Sequence, residues 1–391
     1  GLAGVADELV TVAGGDDRHE QLAGMRRARV ERHPRQLDVG ADQPSADPGG
    51  RLGCTNPHER RRYRGPMVDE AHPRIHLVVL FGGESAEHDV SCTTAAHVLR
   101  AADPERYRIT PIGISTEGQW AFADGAAAAL LAGPDSIPGR LDPTGTDVSP
   151  TPMLAAASAS EETTVVLPLL HGPMGEDGTV QGMLDLANVP YVGSGVLGSA
   201  VAMDKAMAKQ VLTAAGIPQA RHRAFAEHEI TPGLPARLAD DLGLPVFVKP
   251  ANMGSSVGVS KASSVEALRE AIDHALTYDE MIVVEEAIAG REIEVAVLGT
   301  TAPEASAPGE IVPGEEFYSY EDKYVTDGAQ LLVPAPLSDA AADEVRRLAV
   351  DTFRALRCDG LARVDFFYEM DNNGDGRGFL CNEVNTMPGF T

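Results

Sequence analysis

The sequence predicts an α/β protein built from several consecutive units. Short apolar runs such as Ile75–Phe81 and Val165–Leu170 end at glycine-rich loops and lead into segments with helical spacing, which is typical of parallel sheets covered by helices. The C-terminal end instead contains two alternating segments separated by a polar turn, which predicts a β-hairpin. With 391 residues, the chain is long enough for two or three domains.

The composition narrows the class of protein. Lysine and arginine total 32 residues against 58 aspartates and glutamates, which gives a net charge of −26. This excess of acid argues against nucleic acid or an anionic membrane as a partner. No apolar run is long enough to span a membrane, and the four cysteines show no CxxC spacing. We therefore expect a soluble cytoplasmic protein.

Residues 1–66 differ in character from the rest of the chain. They show no sustained period of 2 or 3.6 and lack the apolar residues that would offset the entropy cost of ordering. We predict that this segment is a disordered or non-native extension, and that the folded protein begins near Met67.

Residues 67–193 are predicted to form an N-terminal parallel α/β domain. Its first strand ends at Gly82–Gly83 and leads into a helix that extends to Leu99. Residues 121–160 are rich in alanine, proline and glycine and only weakly patterned, so we expect them to be a surface excursion. The further predicted elements are the strands Tyr107–Ile114 and Val165–Leu170 and the helix Val180–Ala187.

The glycines at 193, 195 and 198 match GxGxxG ahead of a helix, which is the pattern of a dinucleotide-binding loop. An NAD-dependent oxidoreductase is therefore an alternative hypothesis. The fingerprint normally opens the first strand–helix unit and is followed by an acid about 20 residues later. Here the corresponding stretch, 217–221, contains no acid. A linker with tight glycine turns explains the motif better.

Residues 194–285 are predicted to form a central unit. Its strand Leu244–Lys249 ends in a lysine and is followed by a loop of glycines and serines. Such a loop lets backbone amides approach a phosphate, beside the compact charge of the lysine. No GK[ST] sequence follows, so the loop is not a Walker motif. A helix Val265–Leu276 and a strand Met281–Ile288 complete the unit.

Residues 286–391 are predicted to form a last unit that ends in the hairpin. Glu292–Leu298 is expected to pair with later strands, and Asp343–Leu356 to be helical. Arg363 and Asp365 lie two apart on the first hairpin strand and so share a face, as do Glu383 and Asn385 on the second. A small number of oxygen ligands from the protein is typical of Mg²⁺ that is held jointly with phosphates. A solvated polar face is the open alternative.

Taken together, these motifs indicate ATP chemistry. Lysines with a glycine-rich loop bind phosphates, and carboxylates hold the magnesium ion. The sequence contains no GxSxG nucleophile elbow, and no cysteine–histidine signature appears. His171 follows a predicted strand beside a glycine loop, where it is either a base, an orienting group or a structural residue.

Several of these motifs resemble those of a known family. The segments Gly82–Ser91, Leu170–Gly182, Met203–Lys205, Val248–Gly258 and Arg363–Asp365 with Asn382–Gly389 are similar to the motifs of the D-alanine–D-alanine ligases, which are ATP-grasp enzymes. The resemblance covers about residues 75–391. It implies that 67–193 form a pre-ATP-grasp substrate domain, and that 194–285 and 286–391 form the two lobes of an ATP-grasp domain.

The resemblance also implies the residues that bind ATP and metal. ATP is expected as co-substrate, with Mg²⁺ or Mn²⁺ as cofactor. The implied phosphate-binding residues are Lys205, Lys249, Ser255 and Ser256; those around adenine and ribose are Glu285, Ile288 and Glu292; and the metal ligands are Asp365, Glu383 and Asn385.

The implied substrate is D-alanine, and two molecules are joined through an acyl phosphate for peptidoglycan precursor synthesis. Glu87 matches the carboxylate that takes the ammonium of the first D-alanine, and His171 a histidine near it. The implied companions are Ser255 and Tyr324 for hydrogen bonding, Arg363 and the Gly389 amide for the oxyanion, and the loop residue Lys323 for phosphate and carboxylate. Relatives imply a homodimer.

The sequence departs from the family at two places. Glu286 stands where many relatives carry a lysine beside the adenine, so that contact is not expected here. The family also continues beyond Gly389 with groups that hold the acceptor and a closing helix, so we expect the chain as given to be truncated at its C-terminal end. D-Lactate as acceptor and an inactive ATP-binding module remain alternatives.

Overall fold

A computed structural model describes residues 74–313, 330–370 and 376–390, all within one structural unit. The predicted extension 1–66 and the loop residues Lys323 and Tyr324 lie outside the described residues. Helices and strands are numbered below along the described part of the chain. No helix in that part is both long and apolar enough to cross a membrane.

The first sheet has five strands in the order β4-β3-β2-β1-β5. Its strands are β1 Ile75–Gly82, β2 Tyr107–Ile114, β3 Trp120–Phe122, β4 Thr146–Asp147 and β5 Thr164–Pro168. The first, second and fifth run parallel, as predicted, whereas β3 and β4 join the edge antiparallel, so the sheet is mixed. The accompanying helices are α1 His88–Ala101, α2 Asp124–Ala132, α3 Pro150–Ser158 and α4 Thr179–Ala187.

Most of residues 121–160 are exposed, as predicted, but the segment is more than a surface excursion because it contains helices and strands. These residues supply β3, β4, α2 and α3, and they contribute the buried side chains Ala126, Ile137, Leu141 and Leu154 to the cores on both faces of the sheet. The segment buries mainly small or isolated apolar residues, and such a pattern has too weak a period to indicate helices or strands from sequence.

The central sheet has four antiparallel strands in the order β6-β9-β7-β8. They are β6 His222–Ala226, β7 Val246–Pro250, β8 Ser260–Ala262 and β9 Met281–Glu286. Helices α7 Leu234–Leu242 and α8 Val265–Ala275 pack on it through apolar residues such as Leu238, Leu268 and Ile272. Two further helices, α5 Val196–Met203 and α6 Lys205–Ala214, precede this sheet in the chain.

The terminal sheet contains the predicted hairpin at one edge. Its strands are β10 Arg291–Gly299, β11 Glu304–Ala305, β12 Gly309–Val312, β13 Gln330–Leu332, β14 Gly360–Glu369 and β15 Gly378–Asn385, in the order β13-β12-β10-β14-β15 with β11 beside β10. Helix α9 Asp339–Ala355 buries Val345, Leu348 and Phe353 in the same core as this sheet. The pairing of β10 with β14, and of β14 with β15, confirms the predicted hairpin and its partner strand.

The glycines of the GxGxxG motif bring α5 close to the terminal sheet. A methyl group added at Gly198 would lie 2.5 Å from the carbonyl oxygen of Arg357, and one added at Gly360 would lie 3.0 Å from the amide nitrogen of Gly193. The motif is therefore used for close backbone packing, as a linker interpretation predicts. The dinucleotide-binding alternative is not supported.

We expect Gly198→Ala to lower the free energy of unfolding by about 1–3 kcal/mol, because the added methyl group meets backbone that has no room to move. The measurement is the midpoint of urea unfolding. Gly125→Ala is the matched control: Gly125 also lies in a helix, but a methyl group there meets nothing within 4 Å. The control should gain about 0.5–1 kcal/mol from helix propensity. Equal shifts for the two variants would contradict the packing role.

Candidate active site

A cleft of about 470 Å³ lies between the central and terminal sheets. This volume is within the range of small-molecule sites. Most of the predicted site residues line this cleft, although they come from segments far apart in sequence. They are Lys205, Lys249, Ser255, Ser256, Glu285, Ile288, Glu292, Arg363, Asp365 and Glu383.

The two predicted phosphate-binding lysines enter the cleft from different elements. Lys205 begins α6, and its ammonium donates to the backbone carbonyl of Met253 at 2.5 Å. Burial lowers the pKa of Lys205. Lys249 lies on β7, and its ammonium donates to Glu285 at 3.0 Å and to the amide oxygen of Asn382 at 3.1 Å. The second contact crosses from the central sheet to the terminal sheet.

Glu285 is held between two lysines in the interior. One carboxylate oxygen accepts from Lys249, and the other lies 3.0 Å from the ammonium of Lys209, a contact that is ionic but lacks hydrogen-bond alignment. Burial alone would raise the pKa of Glu285, but Lys209 and Lys249 lower it to about 2. Burial likewise acts to lower the pKa of Lys249, and Glu285 outweighs it, so that pKa is raised. Glu285 and Lys249 are therefore both charged at neutral pH.

The hairpin presents polar side chains to the cleft in the predicted arrangement. Asp365 lies directly opposite Glu383, and Arg363 directly opposite Asn385. Arg363 donates to both carboxylate oxygens of Asp365, at 2.7 and 2.8 Å, and the Asn385 amide donates to one of them at 2.9 Å. Asp365 is thus fixed in orientation by two neighbours on its own face of the sheet.

A β-bulge adds one more residue to this group. The register shifts between Asp365 and Phe366, which pair with Glu383 and Cys381 respectively, so that Asn382 has no residue opposite it. A bulge of this kind re-aims side chains. Because of it, Asn382 and Glu383 both line the cleft although they are consecutive in a strand.

The predicted metal ligands are two carboxylates and one amide. In the described residues, no cluster of three or more His, Cys, Asp and Glu has the arrangement of a complete metal site. An all-oxygen set with few protein ligands fits Mg²⁺, which keeps several water or phosphate ligands. The residues present therefore suit a metal shared with phosphates rather than a site enclosed by protein alone.

The first sheet contributes Glu87, the residue just before α1. Its carboxylate accepts a hydrogen bond from the hydroxyl of Ser255 in the loop between β7 and β8. Ser255 and Ser256 have φ values of 48° and 61°, in the left-handed region that favours glycine. The loop thus keeps a strained backbone conformation in which the Ser255 hydroxyl contacts the Glu87 carboxylate.

His171 is buried and fixed by two partners. Its Nδ1 donates to the carbonyl oxygen of Met387 at 2.9 Å, which leaves Nε2 to accept from the hydroxyl of Thr94 at 3.2 Å. Burial lowers its pKa to about 4. An imidazole whose two ring nitrogens are both hydrogen-bonded is not available as a base, so the geometry of His171 fits the orienting and the structural roles that the sequence left open.

Glu176 is a polar residue of this region that sequence reasoning missed. It accepts from the backbone amides of Gly172 and Met387, both at 2.9 Å, and so joins the loop after β5 to the loop after β15. Burial, with the nearby charge of Glu87, raises its pKa to about 7. Through Glu176, the loop after β5 contacts the segment between β15 and Gly389.

Three further residues were missed, and two of them had a signal in the sequence. Lys209 lies four residues after Lys205 on α6 and so faces the same side of the helix. Glu294 lies two residues after Glu292 on β10, opposite Asp365, and its carboxylate is 3.2 Å from Arg363. Asn382 reaches the cleft only through the bulge, so no alternation pattern could have indicated it.

Four described residues of the predicted set, Glu87, His171, Asn385 and Gly389, do not line the cleft. Gly389 lies in the exposed turn after β15, whose next residue, Phe390, accepts from His97 at 2.9 Å. Lys323 and Tyr324 lie outside the described residues. Glu286 lines the cleft, but its carboxylate is bonded to Arg221 and Arg377.

Family comparison assigns both halves of the chain. Residues 76–194 match the family described as D-ala D-ala ligase N-terminus, and residues 211–391 match D-ala D-ala ligase C-terminus. The chain belongs to the D-alanine–D-alanine ligase family. This assignment agrees with the resemblance in the motifs and leaves the NAD-dependent alternative without support.

Individual ligases are similar over most of their length. The D-alanine–D-alanine ligase of Mycolicibacterium vanbaalenii is 45% identical over 337 residues, covering 81% of this chain and 90% of that protein. The ligase of Deinococcus radiodurans is 46% identical over 319 residues, with the same shares covered.

Two solved structures show the same architecture. The D-alanine-D-alanine ligase from Coxiella burnetii has a TM-score of 0.67 and 35% identity, covering 82% of this chain and 86% of that one. The VanG D-Ala:D-Ser ligase from Enterococcus faecalis has a TM-score of 0.67 and 32% identity, covering 81% and 92%.

We expect Glu285→Gln to lower the free energy of unfolding at neutral pH by about 3–5 kcal/mol, because two buried lysines lose their counter-ion. The pKa of Glu285 is depressed from 4.5 to about 2, so its contribution is complete above pH 4.5 and is lost as pH falls toward 2. Urea midpoints measured from pH 7 to pH 3 should therefore fall less steeply for the variant than for the unmodified protein.

The control for this pH series is Glu162→Gln, which removes an exposed carboxylate paired with Arg108. We expect that change to alter the free energy of unfolding by less than about 1 kcal/mol. If Glu285→Gln and Glu162→Gln gave the same pH profile, the buried pair would not carry the stability assigned to it.

Proposed function

We propose that this protein uses ATP to join two D-alanines into D-alanyl-D-alanine, a peptidoglycan precursor. The observation that carries the proposal is the cleft in which Lys205 and Lys249 lie with the Asp365–Glu383 face of the hairpin. Phosphate-binding cations next to oxygen ligands for a divalent ion are the arrangement required for phosphoryl transfer. Family membership supplies the substrate class.

In this proposal ATP lies along the cleft between the two sheets. Glu285, Ile288 and Glu292 lie at or near the segment that joins β9 to β10, and they hold the adenine and ribose. Lys205 and Lys249 hold the phosphates with the amides of the loop at Ser255 and Ser256. The cleft provides this positive charge within a protein of net charge −26.

Asp365, Glu383 and Asn385 would hold Mg²⁺ or Mn²⁺ together with the phosphates. When bound, the ion neutralises charge on the phosphate oxygens during transfer. Arg363 already orients the Asp365 carboxylate, and the Asn385 amide contacts the same group. These contacts support the assignment of an oxygen donor set to one face of the hairpin.

The first step joins D-alanine to phosphate. A carboxylate oxygen of the first D-alanine attacks the γ-phosphorus, the bond to the β–γ bridging oxygen breaks, and ADP leaves. Lys205 and Lys249 stabilise the charge on the transferring group. Glu87, bonded to Ser255, receives the ammonium of this D-alanine, while neutral His171 orients the region next to it.

The second step forms the peptide bond. The neutral amine of the second D-alanine attacks the acyl carbon, and the carbon–oxygen bond to phosphate then breaks. The dipeptide and inorganic phosphate leave, and the phosphate carries away the proton lost by the amine. Arg363 and the Gly389 amide stabilise the oxyanion. The pairing of Arg363 with Asp365 and Glu294 keeps its guanidinium charged, because those carboxylates raise its pKa despite its burial.

Two parts of the proposal rest on the family alone. Lys323 and Tyr324 are assigned to phosphate and substrate binding. A homodimer remains a prediction. The acceptor is proposed to be D-alanine, and D-lactate and D-serine are the competing acceptors that the assay must include.

The proposed function is tested by mixing the protein with ATP, Mg²⁺ and D-alanine and measuring ADP release and dipeptide by mass spectrometry. We expect ADP release that depends on D-alanine and equals the D-alanyl-D-alanine formed. D-Lactate or D-serine added with D-alanine should leave the dipeptide as the main product. ATP binding without any D-alanine-dependent ADP release would instead support an inactive ATP-binding module.

Asp365→Asn and Glu383→Gln should each reduce kcat by at least about 100-fold, because each removes an anionic ligand of the metal. A second measurement, electron paramagnetic resonance of Mn²⁺ with a non-hydrolysable ATP analogue, should show weaker metal binding in both. Asp351→Asn is the control, since Asp351 pairs with Arg347 on the outer face of α9. Normal Mn²⁺ binding by both variants would contradict the assignment.

A further inference from the structure

Glu286 is the last residue of β9 and carries a carboxylate that is only 10% exposed. One of its oxygens accepts from the Arg221 backbone amide at 2.8 Å and from the Arg377 guanidinium at 2.5 Å. The other oxygen accepts from Arg221 Nε at 2.8 Å. Both oxygens are thus used by arginines, which leaves Glu286 unsuited to bind a base directly.

Arg377 extends this contact into the terminal sheet. It lies just before β15, and its guanidinium donates to both oxygens of Glu369 at the end of β14, at 2.5 and 3.0 Å. Two arginines and two carboxylates therefore alternate from the central sheet to the terminal sheet. We call Arg221, Glu286, Arg377 and Glu369 the cross-sheet ion chain.

The geometry of the cross-sheet ion chain makes its contacts stronger than those of ordinary ion pairs on a protein surface. Arginine–carboxylate contacts with two hydrogen bonds are favoured in energy and fixed in direction. Burial of Glu286 raises its pKa, but Arg377 and Arg221 outweigh that effect and lower the pKa of the carboxyl. A nearly buried carboxylate that keeps its charge depends on both arginines remaining in place.

The cross-sheet ion chain also lies beside the segment that connects the central sheet to the terminal sheet. Immediately after Glu286, residues 287–290 cross from β9 to β10 and so join the two sheets. Glu286, Ala287, Ile288 and Gly290 all line the cleft at the end assigned to adenine. The bond between Glu286 and Arg377 therefore also spans the sheets, beside the covalent connection and next to the proposed adenine site.

We propose that Arg377 and Glu286 are positioning residues that fix the central sheet against the terminal sheet at the adenine end of the cleft, and that they thereby determine the affinity for ATP. This inference rests on the proposed function, because it takes the cleft as the ATP site. If the distance between the two sheets is already fixed, less conformational entropy is lost when ATP binds. D-Alanine binding, at the other end of the cleft near Glu87, does not depend on it.

The test is a double-mutant cycle on the full chain with Glu286→Gln, Arg377→Gln and the double variant. Isothermal calorimetry gives the Kd for ATP, and steady-state kinetics give KM for ATP and for D-alanine. Each single variant should raise the Kd and KM for ATP roughly five- to tenfold, and the double variant should be no worse than either single one. KM for D-alanine should stay within twofold of the unmodified value, a difference that general loss of structure would not produce.

A conservative change and a matched control sharpen the result. Arg377→Lys can reach one carboxylate but not form the two-point contact, so its Kd for ATP should fall between the unmodified protein and Arg377→Gln. Arg108→Gln removes a similar two-bond pair with Glu162, far along the first sheet, and should leave ATP affinity unchanged.

The outcomes separate this inference from the proposed function. If the unmodified protein does not bind ATP, the proposed function fails and this inference with it. If it binds ATP, and Glu286→Gln and Arg377→Gln leave the Kd unchanged or their effects simply add, the positioning role is wrong while the ligase function stands. Equal rises in KM for ATP and D-alanine would also overturn the positioning role.

Discussion

The buried contact of Glu285 with Lys209 and Lys249 is the constraint on which the rest of the site depends. A single carboxylate compensates two buried ammonium groups from α6 and β7, so these elements can come together only if it is present and ionised. Lys249 also reaches Asn382 on the terminal sheet. The same group of charges therefore shapes the central sheet and fixes its distance from the hairpin.

Around that constraint, the site is built from contacts between segments that are distant in sequence. Ser255 bonds to Glu87, and His171 and Glu176 bond to Met387, so all three sheets meet where the substrates are proposed to bind. Each contact uses a buried or half-buried polar group whose partner belongs to another element. An unpaired polar group in such a place is costly, and this cost favours one closed arrangement over many open ones.

The charges also explain how an acidic protein can offer a site for a nucleotide. Several carboxylates in the cleft are bonded to cations, as Asp365 is to Arg363 and Glu286 is to Arg377. Their negative charge is locally compensated, while Lys205 and Lys249 remain directed into the same space. Net charge determines long-range behaviour, but pairing at short range decides what the cleft attracts.

Local periodicity and turn chemistry were enough to predict the buried strands of the first sheet, the hairpin with Arg363 and Asp365 on one face, and the lysine before the glycine–serine loop. The elements within 121–160, the bulge that turns Asn382 into the cleft, and the partners of Glu285 and Glu286 became visible only in the folded protein. Those features arise from packing and ion pairing between residues far apart in the chain, and no local pattern encodes such contacts.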